Sequence, residues 1–250
     1  VGGSSGMGKA SALATIQRGS KVLLVSRSNE KLERARSQLL EKVPDADVST
    51  ASVDVSDELA VQKFANLLES GEWDALVISA AGKAPHGPIT TLPTSDTRMM
   101  MESKLWTAYH CAKYIGPKLN DGGSIVFVAG ILNRRPGLNC SPLAMANGAL
   151  EGLTRSLALE WGPQLRVNCL SPGFCDTERF DHMDPERKAD MMANTARSLP
   201  LQKVGQPSDM GEAIYYLLSA SFCTGVILDV DGGHGIRQYA NSATDPMRKN

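Results

Sequence analysis

The chain has 250 residues, enough for one α/β domain of ordinary size. Hydrophobic residues make up 42% and charged residues 21%, so a sizeable core can form and a wholly disordered chain is excluded. Lys and Arg number 26 against 27 Asp and Glu, and the net charge of -1 gives no general pull toward nucleic acid or anionic lipid.

Apolar bursts alternate with amphipathic stretches along the whole chain. Lys21–Val25 reads as a short buried strand, Glu30–Glu41 as a polar-faced helix, Val48–Asp54 as a strand and Asp57–Leu68 as a helix. Ala75–Ser79 is a strand, and a Gly/Pro-rich loop runs from it through Pro93. One long helix is expected over about Asp96–Leu119, broken by Gly122 and Gly123 before the strand Ser124–Val128. Leu150, Leu153 and Leu157 place an apolar stripe on a helix that continues to Trp161. Arg166–Leu170 is a strand, Ser208–Ser219 a helix and Val226–Val230 a last strand. This alternation predicts a doubly wound parallel sheet with helices on both faces, in a single domain over 1–250. Residues from about Tyr239 read as a mobile tail.

No apolar run approaches the ~18 residues of a membrane helix, so no membrane partner is expected. Cys111, Cys140, Cys169, Cys175 and Cys223 form no CxxC pair, which argues against a disulfide framework or zinc cage. The expectation is a reduced, cytoplasmic protein with no metal site.

Gly2-x-x-x-Gly6-x-Gly8 opens the chain ahead of a helix from about Lys9. Such glycines let the backbone turn tightly and approach a pyrophosphate, whose charge meets the positive end of the helix. Ser4, Ser5 and Met7 complete that loop. A glycine loop needs a strand to aim it, yet only Val1 precedes it, so the first strand is expected upstream of the numbering.

Further segments extend the pattern. Asp54-Val55, Ala80-Ala81-Gly82, Arg166-Val167-Asn168, Ser171-Pro172-Gly173 with Thr177, and Asp231-Gly232-Gly233 follow in order. With Gly2–Gly8, they resemble the short-chain dehydrogenase/reductase family over essentially the whole chain. The resemblance implies a seven-stranded Rossmann-like sheet and a nicotinamide dinucleotide. It places Asp54 and Val55 on the adenine, Ala80, Ala81 and Gly82 along the cofactor, and Pro172, Gly173 and Thr177 at the nicotinamide carboxamide. The end of the second strand selects the cofactor in this family; an acidic residue there would repel a 2′-phosphate. Here it carries Ser26, Arg27 and Ser28, a guanidinium and two hydroxyls suited to a phosphate, so NADP(H) is expected.

The family's Asn, Ser, Tyr and Lys map onto Lys104, Gly130, Leu143 and Asn147. The chain from Phe127 to Leu157 holds no Tyr and no Lys, so a shift of register does not restore them. A general acid or base is worth ~10²–10⁴ in rate, and a leucine cannot supply it. Lys104, Arg134 and Asp176 are the candidate substitutes: a desolvated amine, a guanidinium at the pocket mouth, and a carboxylate able to face a cation. Asn147 is counted with the cofactor-binding residues.

Two functions fit. One is an NADPH-dependent reductase with a rebuilt site for a bulky small molecule, such as an iminium in secondary metabolism. The other is an NADP-binding non-redox catalyst, a cyclase or isomerase, or a pseudoenzyme. Some fungal alkaloid-pathway members of the family look intermediate, coupling iminium reduction to cycloaddition. The helix over Ala146–Trp161 lies where family members pair subunits, so a homodimer or homotetramer is expected.

Overall fold

The computed structural model describes residues 1–236. The expected tail from about Tyr239 lies outside them. Within them, six parallel strands alternate with eight α-helices in the order α1 (Gly6–Ile16), β1 (Val22–Ser26), α2 (Asn29–Lys42), β2 (Val48–Ser52), α3 (Glu58–Leu67), β3 (Trp73–Ile78), α4 (Thr94–Met101), α5 (Thr107–Ile115), β4 (Leu119–Val128), α6 (Ser141–Trp161), β5 (Leu165–Pro172), α7 (Pro185–Arg197), α8 (Pro207–Ser219) and β6 (Ile227–Val230). The predicted elements agree with these to within a few residues, and α7 is an addition that no apolar stripe announced: none of its residues is buried. Helix starts follow their caps. Ser28 Oγ accepts from Lys31 N–H, Asp57 from Leu59 N–H and Asp184 from Arg187 N–H.

The strands fall into two sheets, β1–β2 and β3–β4–β5–β6. The parallel, helix-flanked architecture is the expected Rossmann-like one; the described residues hold six strands in two groups where the resemblance implied seven in one sheet. Between β1 and β3 runs a cleft of about 490 Å³, lined by residues such as Leu23, Val25, Trp73, Leu76 and Ile115. Val1 and Gly2 bridge the two sheets at its end: the Val1 amine donates to Val77 O at 2.7 Å, Ser79 N–H to Val1 O at 3.0 Å, and Gly2 N–H to Val25 O at 2.8 Å. Val1 therefore sits in strand register between β1 and β3, and the glycine loop leaves from the switch point of the sheet.

Alternation along β4 builds the two faces of the core. Ile125 and Phe127 pack with Ala108, Cys111 and Ala112 of α5 and with Leu150 of α6. Val126 and Val128 pack with Met210, Ile214 and Leu217 of α8. The expected single helix over Asp96–Leu119 is interrupted. Glu102–Trp106 forms a π-turn between α4 and α5, with Thr107 Oγ1 donating to Glu102 O, and Gly116–Lys118 is a 3₁₀ turn. Such a turn inserts an extra residue and re-aims its side chains. Lys104 lies within it and is buried, at 7% exposed.

Candidate active site

The glycine loop is held by contacts that only glycine permits. A Cβ on Gly8 would lie 2.3 Å from Gly2 O, and one on Gly2 would lie 2.7 Å from Ala80 N. Gly2 and Gly6 also adopt positive φ, at +81° and +52°. The loop is thereby pressed against Ser79 and Ala80 at the end of β3, while Thr177 lies 3.6 Å from where a Gly6 Cβ would be. Gly82 packs beside Ser103, and Gly173 passes close to the backbone of Asp231. The structure thus gathers Gly2–Gly8, Ala80–Gly82 and Gly173–Thr177 at the carboxyl ends of the strands. Ser5, ahead of α1, makes no capping bond with its own side chain. Met7 packs into the core beside α8, and Ser4 is half-buried.

Ser26 ends β1 and Arg27 and Ser28 follow it, with Arg27 exposed. Asp54 and Arg27 are brought together on the neighbouring strand ends. Hydrogen bonds from Ser56 hold the Asp54 carboxyl below its usual range, with Arg27 adding to the effect. Val55 is turned into the core with Val61 and Ala65. The Ser28 hydroxyl caps α2 and keeps its own proton free to donate.

Lys104, Gly130 and Asn147 converge at the end of β4. Lys104 Nζ donates to Ala129 O at 2.9 Å, and Asn147 Nδ2 lies 3.0 Å from a Cβ built on Gly130, whose φ is +152°. Burial lowers the Lys104 amine to about 8, with the Arg179 charge adding and Cys169 opposing. Asn147 is buried, and its Oδ1 has no hydrogen-bond partner among the described residues. Leu143 precedes it by one turn on α6.

The other two candidates point elsewhere. Arg134 donates to Ser171 Oγ at 2.8 Å, pairs with Asp229, and places Nε 3.3 Å from the buried Glu151 carboxylate. Asp176 pairs with Lys188 at 3.1 Å. Two residues not counted among the expected site residues, Lys9 and Glu178, meet over the glycine loop at 2.7 Å. A basic residue at the start of α1 was their one visible signal. Arg166 and Asn168 are structural: Arg166 donates to the carbonyls of Leu217, Leu218, Ala220 and Cys223, and Asn168 ties β5 to Cys223 and Val226.

A glycine loop at the switch point of a parallel, helix-flanked sheet defines a Rossmann-like nucleotide-binding fold. Residues 1–235 match the family model described as enoyl-(acyl carrier protein) reductase. A short-chain dehydrogenase/reductase of Stachybotrys chlorohalonatus, ATR9, is 32% identical over 244 residues, covering 93% of this chain and 94% of that protein. Among solved structures, a small-chain dehydrogenase in complex with NADPH is 30% identical with a TM-score of 0.78, covering 94% of this chain and 96% of that one. An NADPH-bound short chain oxidoreductase from Pseudomonas aeruginosa PAO1, described as containing an atypical catalytic center, is 28% identical with a TM-score of 0.84, covering 93% of each chain. The chain belongs to the short-chain dehydrogenase/reductase family, an oxidoreductase family that uses NAD(P)H.

Proposed function

We propose that this chain is an NADPH-dependent reductase with a non-standard active site, acting on a bulky small molecule in the cytoplasm. The observation that carries the reading is the grouping of Lys104, Gly130 and Asn147 at the end of β4, with Leu143 in place of an acid–base phenol.

The residues present fit the cofactor: the loop is shaped by contacts that leave no room for a Cβ, and the buried Asn147 Oδ1 has an unused acceptor. Gly2, Ser4, Ser5, Gly6, Met7 and Gly8 would hold the pyrophosphate, and Ser26, Arg27 and Ser28 the 2′-phosphate. Asp54 and Val55 would bracket the adenine. Ala80, Ala81, Gly82, Asn147, Pro172, Gly173 and Thr177 would line the nicotinamide half. When bound, NADPH supplies a hydride.

The chain's own contribution is the proton balance. A ketone that accepts a hydride ends as an alkoxide and needs a proton. An iminium ends as a neutral amine and needs none. Lys104, at about 8, holds a transferable proton near neutrality but spends its hydrogen bond on Ala129 O. Iminium reduction is therefore the reaction this site serves best. Arg134 and Asp176 are secondary candidates, since each must leave an ion pair to meet a substrate.

The test is loss of NADPH absorbance with cyclic imines against matched ketones. Turnover of imines at least ten-fold above ketones is expected; turnover of neither class overturns the reading. The site also favours a second reading, an NADP-binding cyclase or isomerase, because Leu143 holds the phenol's place and the Lys104 amine is tied to Ala129 O. Product formed with oxidised cofactor and no change in absorbance would distinguish it. Exposed Trp106 and Tyr109 on the α4–α5 side, with exposed Met145 and Leu159 on α6, support a homodimer or homotetramer.

A further inference from the structure

The loop after β5 reaches across to the glycine loop. Glu178 Oε2 accepts the Gly6 N–H at 2.8 Å, and Oε1 accepts from Lys9 Nζ at 2.7 Å. Gln38 Oε1 accepts a second bond from Lys9 Nζ at 3.0 Å, which fixes the ammonium in place. A carboxylate thus sits on the first turn of an 11-residue helix, against the glycine loop, with a lysine beside it. These are the groups a glycine loop offers to a diphosphate: backbone N–H, the positive helix end and a cation. Burial opposes ionisation of Glu178, yet its bonds to Lys9 and Gly6 hold the carboxyl below its usual range. It remains an anion at neutral pH.

The segment is also braced from its other side. Lys188 of α7 pairs with both Asp176 and Asp181, at 3.1 and 3.0 Å, and Phe180 stacks on Phe174. Glu178 therefore rests on the loop as part of an ordered strap, rather than as a lone surface side chain.

We propose that Glu178 is a built-in occupant of the pyrophosphate seat, and that the dinucleotide binds by displacing it from Gly6 and Lys9. The inference rests on the reading of the glycine loop as the cofactor seat. Two anions cannot share one N–H and one ammonium, so each bond Glu178 makes is subtracted from cofactor affinity. Glu178 then sets how much NADPH is needed to close the site, and its release frees the strap that carries Thr177 and Arg179.

The experiment is titration of NADPH into the wild type, Glu178→Gln and Glu178→Ala, followed by calorimetry and by tryptophan fluorescence. Both variants are expected to bind about ten-fold or more tightly than the wild type, the worth of a charge-assisted contact removed from the competing state. Hydrogen exchange at Gly6–Lys9 should be faster in Glu178→Gln without cofactor, and equal in all three proteins once NADPH is bound. Equal or weaker binding by both variants overturns the strap and leaves the cofactor seat intact. Absence of binding by any of the three overturns the seat and the strap together.

Discussion

Lys104 Nζ donates a 2.9 Å hydrogen bond to the carbonyl of Ala129, the residue immediately before Gly130. A buried amine is thereby anchored to the backbone at the point where β4 delivers the site. Burial lowers it from an ordinary 10.5 to about 8. Between about 8 and 10.5 the unfolded chain holds a proton that the native amine has released, so the native state gains stability as pH rises through that window. Lys104→Met lacks this gain. Urea unfolding at pH 7 to 10.5 should show the variant's advantage over the wild type shrinking by about 1–3 kcal/mol. A gap that stays constant with pH would falsify the buried, depressed amine.

The same residue separates the two classes of substrate. If a ketone takes its proton from Lys104, Lys104→Met should lower kcat for ketones by ~10²–10⁴. Reduction of an iminium should stay within about ten-fold, because no proton is required. NADPH affinity, read by titration, should be unchanged in both cases. Equal losses on ketones and imines would assign Lys104 to support of β4 rather than proton transfer.

Arg27 stands exposed beside Asp54 at the strand ends, and the proposed function gives its guanidinium the 2′-phosphate. Arg27→Ala should weaken NADPH binding by about 10–100-fold, the loss of a charge-assisted contact. NADH binding should not change. A parallel loss for both cofactors would place Arg27 elsewhere than at the phosphate.

Gly8 has no room for a side chain: a Cβ would stand 2.3 Å from Gly2 O and 2.4 Å from Ser79 Oγ. Gly8→Ala should pry the loop from Ser79 and abolish measurable NADPH binding, with a destabilisation of about 2–4 kcal/mol. Retention of cofactor affinity by a folded Gly8→Ala protein would count against the loop geometry.

Arg166 closes the end of α8 by donating to four backbone carbonyls. Arg166→Met should cost about 2–4 kcal/mol in urea unfolding and leave the cofactor Kd of the folded protein unchanged. A change in Kd without loss of stability would move Arg166 from the scaffold to the site.

The order of elements was legible in the residues because each carries a local signal. Leu32, Ala35 and Leu39 repeat at helical spacing behind the Ser28 cap, and the end of β4, Ile125–Val128, reads as an unbroken apolar run because both of its faces are covered. The glycine loop was legible too, since close backbone passage demands glycine wherever it occurs. The π-turn at Glu102–Trp106 was not: it keeps helical composition and differs in the register of its backbone hydrogen bonds. Nor was α7, whose polar sequence covers a strap instead of a core.

What the sequence determined by itself is the alternating sheet, the glycine loop and the absence of Tyr and Lys between Phe127 and Leu157. Those are properties of residue type and spacing, which local sterics and periodicity enforce. Only the tertiary structure decided that Lys104 turns inward to Ala129, that Arg134 joins Glu151 and Asp229, and that Glu178 lies on Gly6. A charged side chain has many partners within reach of its sequence position. The pairing is fixed by which strand ends and loops the packed sheet brings within a few ångströms, across separations such as the 172 residues between Gly6 and Glu178.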